Sequence, residues 1–128
     1  MSINILVYAP GVDVQVFDDL SQTLVKGTQT AVAFDGYYWL PEKKSAVFQD
    51  LKNILVGVDI NHYWGIVNVY LPQSVRDAVL GAVAGKVLDI TLTWAKSQRR
   101  VRQEKTKVKI RLFGPDNRLL SDDDIQLN

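Results

Sequence analysis

The chain contains no cysteine, which excludes disulfides, thiolate nucleophiles and thiolate-held metals. That composition suits a reducing compartment. Histidine is nearly as scarce, with His62 the single one, so any imidazole-based nucleophile–base scheme has to run through it. Asp59 is expected off its face on an extended strand, and no second His or Glu stands at metal-ligand spacing. Gly57, Gly65, Gly81 and Gly85 form no phosphate-cradling pattern. Neither catalysis nor a cofactor nor a metal site is therefore expected. Long hydrophobic runs are missing too, since none approaches the roughly 18 residues of a membrane span. The apolar start at Ile3 stops at Pro10-Gly11 and has no charged leader. A soluble, cytoplasmic chain of bacterial or phage type, with no membrane contact, is the expectation.

What remains has ordinary globular proportions, 47% hydrophobic and 23% charged, which argues against disorder. With 128 residues the chain has the commonest size for one domain, so residues 1–128 are read as a single unit. The net charge of +1 hides a segregation. Between Lys96 and Arg111 stand eight basic residues and one acid, Glu104. The rest of the chain carries seven bases and thirteen acids, so one segment is strongly positive and everything else is negative.

Alternating patterns predict strands at Ile3–Tyr8, at Val12–Phe17 and, after a turn at Asp18–Ser21, again from Thr23. Thr30–Leu40 reads as a hairpin turning on Asp35-Gly36, a pair that tolerates the positive φ angles of a two-residue turn. Val47, Phe48, Leu51, Ile54 and Leu55 have helical spacing, which predicts a helix near 45–56. Ile60–Leu71 is apolar on both faces, as a central strand would be. A second helix is predicted near 74–84, capped by Ser74 with Asp77 three residues on and stopped at Gly85. Strands follow at Val87–Trp94 and Lys105–Phe113. The fold class is α+β and mainly antiparallel, with about two helices on a small twisted sheet or a partly open barrel, OB-like in one form.

The basic segment then reads as a β-hairpin arm, about 95–106, carrying Lys96, Arg99, Arg100, Arg102 and Lys105. In the strand that follows, Val108, Ile110 and Leu112 face one way and Lys107, Lys109 and Arg111 the other. Same-face residues repeat about every 6.5–7 Å along a strand, a spacing comparable to that of phosphates on an extended nucleic-acid strand. Like charges in a row repel, and a bound polyanion relieves that cost. Single-strand binders also offer aromatic rings to bases, and Tyr38 and Tyr63 are the candidates because each alternates away from a Trp neighbour. Trp94 is expected in the core.

The tail, 121–128, is acidic. Its Asp122-Asp123-Asp124-Ile125 resembles the acidic-then-hydrophobic tail of bacterial single-stranded-DNA-binding proteins, which recruits replication partners and competes with DNA for the basic groove. The closing Pro-Phe and the long linker of that family are absent here. A tail folded against Lys or Arg is the plainer reading. The expected function is non-catalytic binding of nucleic acid, of single strands rather than duplex. The alternative is an interaction or assembly protein whose basic surface docks an acidic protein partner. A homodimer through strand pairing fits either.

Overall fold

The computed structural model describes residues 2–10, 14–42, 58–73, 77–97 and 106–127. Within them run β1 (Ser2–Tyr8), α1 (Val14–Thr28), β2 (Val32–Trp39), a 3-10 turn (Leu40–Glu42), β3 (Tyr63–Tyr70), α2 (Asp77–Ser97), β4 (Thr106–Phe113) and β5 (Leu119–Leu127). The strands form one sheet in the order β2-β3-β1-β4-β5, every neighbouring pair antiparallel. The fold is therefore α+β and antiparallel, as the order of predicted elements implies, but the sheet is open at β2 and β5 rather than closed into an OB-like barrel. In β1-α1-β2 and again in β3-α2-β4, the two strands are parallel with one antiparallel strand between them. This is the β-α-β-β-α-β, ferredoxin-like arrangement with β5 added at the β4 edge.

Both helices lie on one face. Phe17, Leu20, Ser21 and Leu24 of α1 are buried at intervals of three and four, and α2 contributes Ala84, Val87, Trp94 and Ala95. They cover Ile3, Ile5 and Val7 of β1, Val67 and Val69 of β3, and Val108, Ile110 and Leu112 of β4. Each large apolar side chain so buried contributes about 1.5–3 kcal/mol. Phe17 reaches the sheet over Gly65, where a Cβ would stand 2.7 Å from its ring. The Trp94 indole N–H donates to the Val16 carbonyl at 3.2 Å, joining the two helices. Trp94 is core, as expected, although it gets there on a helix. Leu6, Trp64, Ile66 and Phe113 form a smaller cluster on the opposite face with Leu40.

Several expectations need correction. The strands expected at Val12–Phe17 and from Thr23, with the turn between them, are replaced by α1. The second helix does not stop at Gly85 but continues through the strand expected at Val87–Trp94. In both places hydroxyls that compete with the helix are satisfied within it, since Ser21, Thr23, Thr91 and Thr93 each donate to the carbonyl four residues back. Asp35-Gly36 is no hairpin turn either. β2 runs straight through it as one strand, and the register shifts there by one residue. Gly36 has φ 148°, and the hydroxyl and ring of Tyr38 fill the space its side chain would need. A tight hairpin among the described residues lies at 114–118, between β4 and β5, where Asn117 has φ 60° and the Gly114 N–H donates to the Arg118 carbonyl at 2.9 Å. The helix expected near 45–56 and the cap at Ser74 lie outside the described residues.

Candidate functional site

β4 separates core from charge by simple alternation. Val108, Ile110 and Leu112 enter the core under the helices, which directs Lys107, Lys109 and Arg111 to the face opposite α1 and α2. The partner strand β5 then sets Asp124 opposite Lys109 and Asp122 opposite Arg111. The Asp124 carboxylate bridges diagonally, 3.0 Å from Arg111 Nη1 and 3.3 Å from Lys107 Nζ. Partial burial pushes Asp124 upward, but the hydrogen bonds from Arg111 and Lys107 outweigh it and hold the carboxyl below its ordinary range.

The three outward cations are not equivalent. Arg111 is only 12% exposed and also donates to the carbonyls of Ile110 at 3.0 Å and Asp123 at 3.3 Å. Its guanidinium ties β5 to β4. The Lys107 side chain is 52% exposed. Lys109 is half-buried, with its ammonium 5.8 Å from the centre of the Tyr8 ring. Lys96 sits exposed in the last turn of α2, where a cation favours the helix C-terminus. The basic arm therefore connects a helix to a strand and does not join two strands as a hairpin. Arg99, Arg100, Arg102 and Lys105 lie outside the described residues.

The two candidate aromatics fall on opposite faces. Tyr38 pairs with Trp64 and packs on the side opposite α1 and α2, but β3 and β1 stand between it and β4, a span of about 14 Å. Its hydroxyl donates to the Asp35 carbonyl at 2.8 Å, and burial together with the Asp35 charge pushes its pKa up. Tyr63 is exposed and stacks on Tyr37 at 5.7 Å, on the helix side. Neither ring adjoins the lysines. Tyr70, also exposed, is at the far end of β3.

Beside Lys109 is a group that alternation alone does not reveal. β3 begins only at Tyr63, and residues 59–62 turn, so Asp59 and His62 meet where an extended strand would separate them. Asp59 accepts the Asn61 N–H at 3.1 Å and lies 2.9 Å from His62 Nε2. Its carbonyl accepts the Trp64 indole N–H at 2.7 Å. The Asn61 bond, together with the nearby His62 and Lys109, draws the Asp59 carboxyl below its ordinary range against a smaller opposing effect of desolvation. Tyr8 stands between these groups, 4.6 Å from His62 and 5.8 Å from Trp64. Only the Asp-x-x-His spacing pointed to the pair in the sequence, and it pointed there only if the segment turned.

Among the described residues, no three His, Asp or Glu side chains gather as a metal site, and no helix is long and apolar enough to cross a membrane. A cleft of about 440 Å³ between the helices is lined by Asp19, Thr23, Asp89 and Trp94 among others. Its threonines donate to their own helices. No protein-family model, curated protein or solved structure matches the chain.

Proposed function

We propose that this protein is a non-catalytic nucleic-acid-binding domain of the cytoplasm that takes single strands in preference to duplex, through the cations of 96–109. The observation that carries the reading is the outward pair Lys107 and Lys109, two residues apart on the sheet face opposite α1 and α2, continuous in sequence with Lys96, Arg99, Arg100, Arg102 and Lys105. The chain uses its own acids on Arg111 and in part on Lys107. The 96–105 stretch has five bases and only Glu104 as an acid, a charge that a polyanion would neutralise. Lysines about 7 Å apart along a strand suit an extended backbone better than a duplex groove. The lack of cysteine fits a reducing cytoplasm.

Fluorescence-anisotropy titration of labelled single-stranded and duplex oligonucleotides over a salt series tests this. The expected result is micromolar or tighter binding, tighter for the single strand. Neutralising four phosphates sets a log–log salt slope of about −3. A Lys107→Gln/Lys109→Gln double variant should make that slope shallower by about 1.4. Glutamine is preferable to glutamate here, because a new carboxylate would face Asp124 and Asp59. Absence of binding at low salt overturns the reading. Tight binding to an acidic polypeptide with none to either oligonucleotide assigns the surface to a protein partner instead.

A further inference from the structure

The Trp94–Val16 hydrogen bond sets the end of α2 beside the start of α1, so the two helices pack in opposite directions. On their outward side they leave the cleft of about 440 Å³, lined by Asp19, Thr23, Asp89, Ile90, Thr93 and Trp94 among others. That size is usual for a small-molecule site. Half-buried Ile90 and buried Trp94 form its apolar floor, while Asp19, Thr23, Asp89 and Thr93 are exposed at its rim. Thr23 and Thr93 give their protons to the carbonyls of Asp19 and Asp89, at 2.7 and 2.8 Å. Toward the cleft their oxygens can therefore only accept. Neither carboxylate is ion-paired among the described residues. Because the helices run oppositely, Asp19 stands at the Trp94 end and Asp89 at the Thr23 end. Packed helix axes lie about 8–10 Å apart, a separation for a chain to bridge rather than a single ion.

We propose that this cleft binds a linear aliphatic polyamine, with its terminal ammonium groups on Asp19 and Asp89 and its methylenes along Ile90 and Trp94. The four rim side chains offer acceptors only, so the ligand has to bring the donors, and two carboxylates call for two positive charges. The apolar floor between them takes methylene groups, which a hydrated metal ion lacks. The cleft also belongs to the part of the chain outside 96–111, where acids outnumber bases thirteen to seven. The site does not rest on the nucleic-acid reading. It lies on the helix layer, whereas Lys107 and Lys109 are on the opposite face of the sheet.

Calorimetric titration with spermidine, in the absence of nucleic acid, tests this. Spermidine should bind one to one with a Kd below about 1 mM. Butylamine, which has one ammonium group, should bind at least about fivefold more weakly. Asp19→Asn and Asp89→Asn should each weaken spermidine about fivefold, and the two together should remove measurable binding. In NMR spectra of the wild-type protein, the amide signals of Thr23 and Thr93 and the indole signal of Trp94 should shift with spermidine. They should stay in place with magnesium chloride at matched ionic strength, a readout that decides the matter even if a variant fails to fold. Shifts confined to Asp122, Asp123 and Asp124 would overturn the cleft and leave only a general attraction of cations to the acidic strand. Equal shifts with magnesium, unchanged affinity in the double variant, or no saturation at about 10 mM spermidine would overturn it as well.

Discussion

At the scale of single residues, the most consequential side chain is Asp124. It is the shared partner of an almost buried arginine and an exposed lysine, and its carboxyl is held below the ordinary range by them. A carboxyl whose folded pKa is depressed stabilises the fold above its unfolded pKa and loses that contribution as pH falls through the folded value. Asp124→Asn should therefore cost about 1 kcal/mol at neutral pH, a figure that allows for the carboxylate being about a third exposed. Urea denaturation at pH 7 and at steps down through the carboxylate range checks this. The gap between variant and wild type should close as the pH drops, and a gap independent of pH would show that shape rather than charge is at stake. The outward lysines of β4 were legible from alternation within one strand. Their acidic partner was legible only as a tail folded against Lys or Arg; that Asp124 bridges Lys107 and Arg111 was not, because pairing across a hairpin depends on register, which a turn at 114–118 sets and no local pattern of β4 reveals. Tyr8 and His62 were missed for the same reason, being brought together by neighbouring strands.

At the scale of elements, helices were mistaken for strands where two periodicities overlap. Leu88, Ile90, Leu92 and Trp94 alternate, yet Leu88 and Leu92 are also four apart, as are Ile90 and Trp94, so the run satisfies a helix equally well. Packing decides it, for Val87, Thr91, Trp94 and Ala95 are the residues that become buried. Gly85, expected to end that helix, lies exposed inside it with nothing within 4 Å of an added Cβ. Gly85→Ala should then stabilise the protein by about 0.5–1 kcal/mol through helix propensity alone, raising Tm by a few degrees. Gly36 marks the opposite case. Its φ of 148° is outside the reach of most side chains and its Cβ would strike Tyr38, so Gly36→Ala should destabilise by about 1–3 kcal/mol. Calorimetry of the two variants should give melting shifts of opposite sign. Had Asp35-Gly36 been a surface turn, alanine at 36 would strain only the turn and leave the Tyr38–Asp35 hydrogen bond in place.

At the scale of the whole molecule, the separation of charge that stands out in the sequence is partly undone by the fold. Lys107, Lys109 and Arg111 of β4 share their face with Asp122 and Asp124 of β5, while Asp123 stands opposite Ile110, so three cations meet two acids and most of the charge is offset where the two strands meet. The unbalanced cations are concentrated on 96–105. Charge that serves the fold and charge that serves a ligand should therefore respond differently to salt. In the Arg111–Asp124 pair the arginine is shielded and the carboxylate about a third exposed, and the other ion pairs among the described residues are exposed ones worth little, so raising salt from 50 to 200 mM should move Tm by no more than about 2 °C. Over the same interval, displacement of counterions from four phosphates should weaken oligonucleotide binding by about 50-fold. Both quantities are read from one buffer series, by differential scanning calorimetry and by anisotropy. If Tm falls in step with affinity, the basic segment is holding the protein together and its positive charge is structural. If Tm holds while affinity collapses, the fold has satisfied its own electrostatics and the remaining charge faces outward toward a partner.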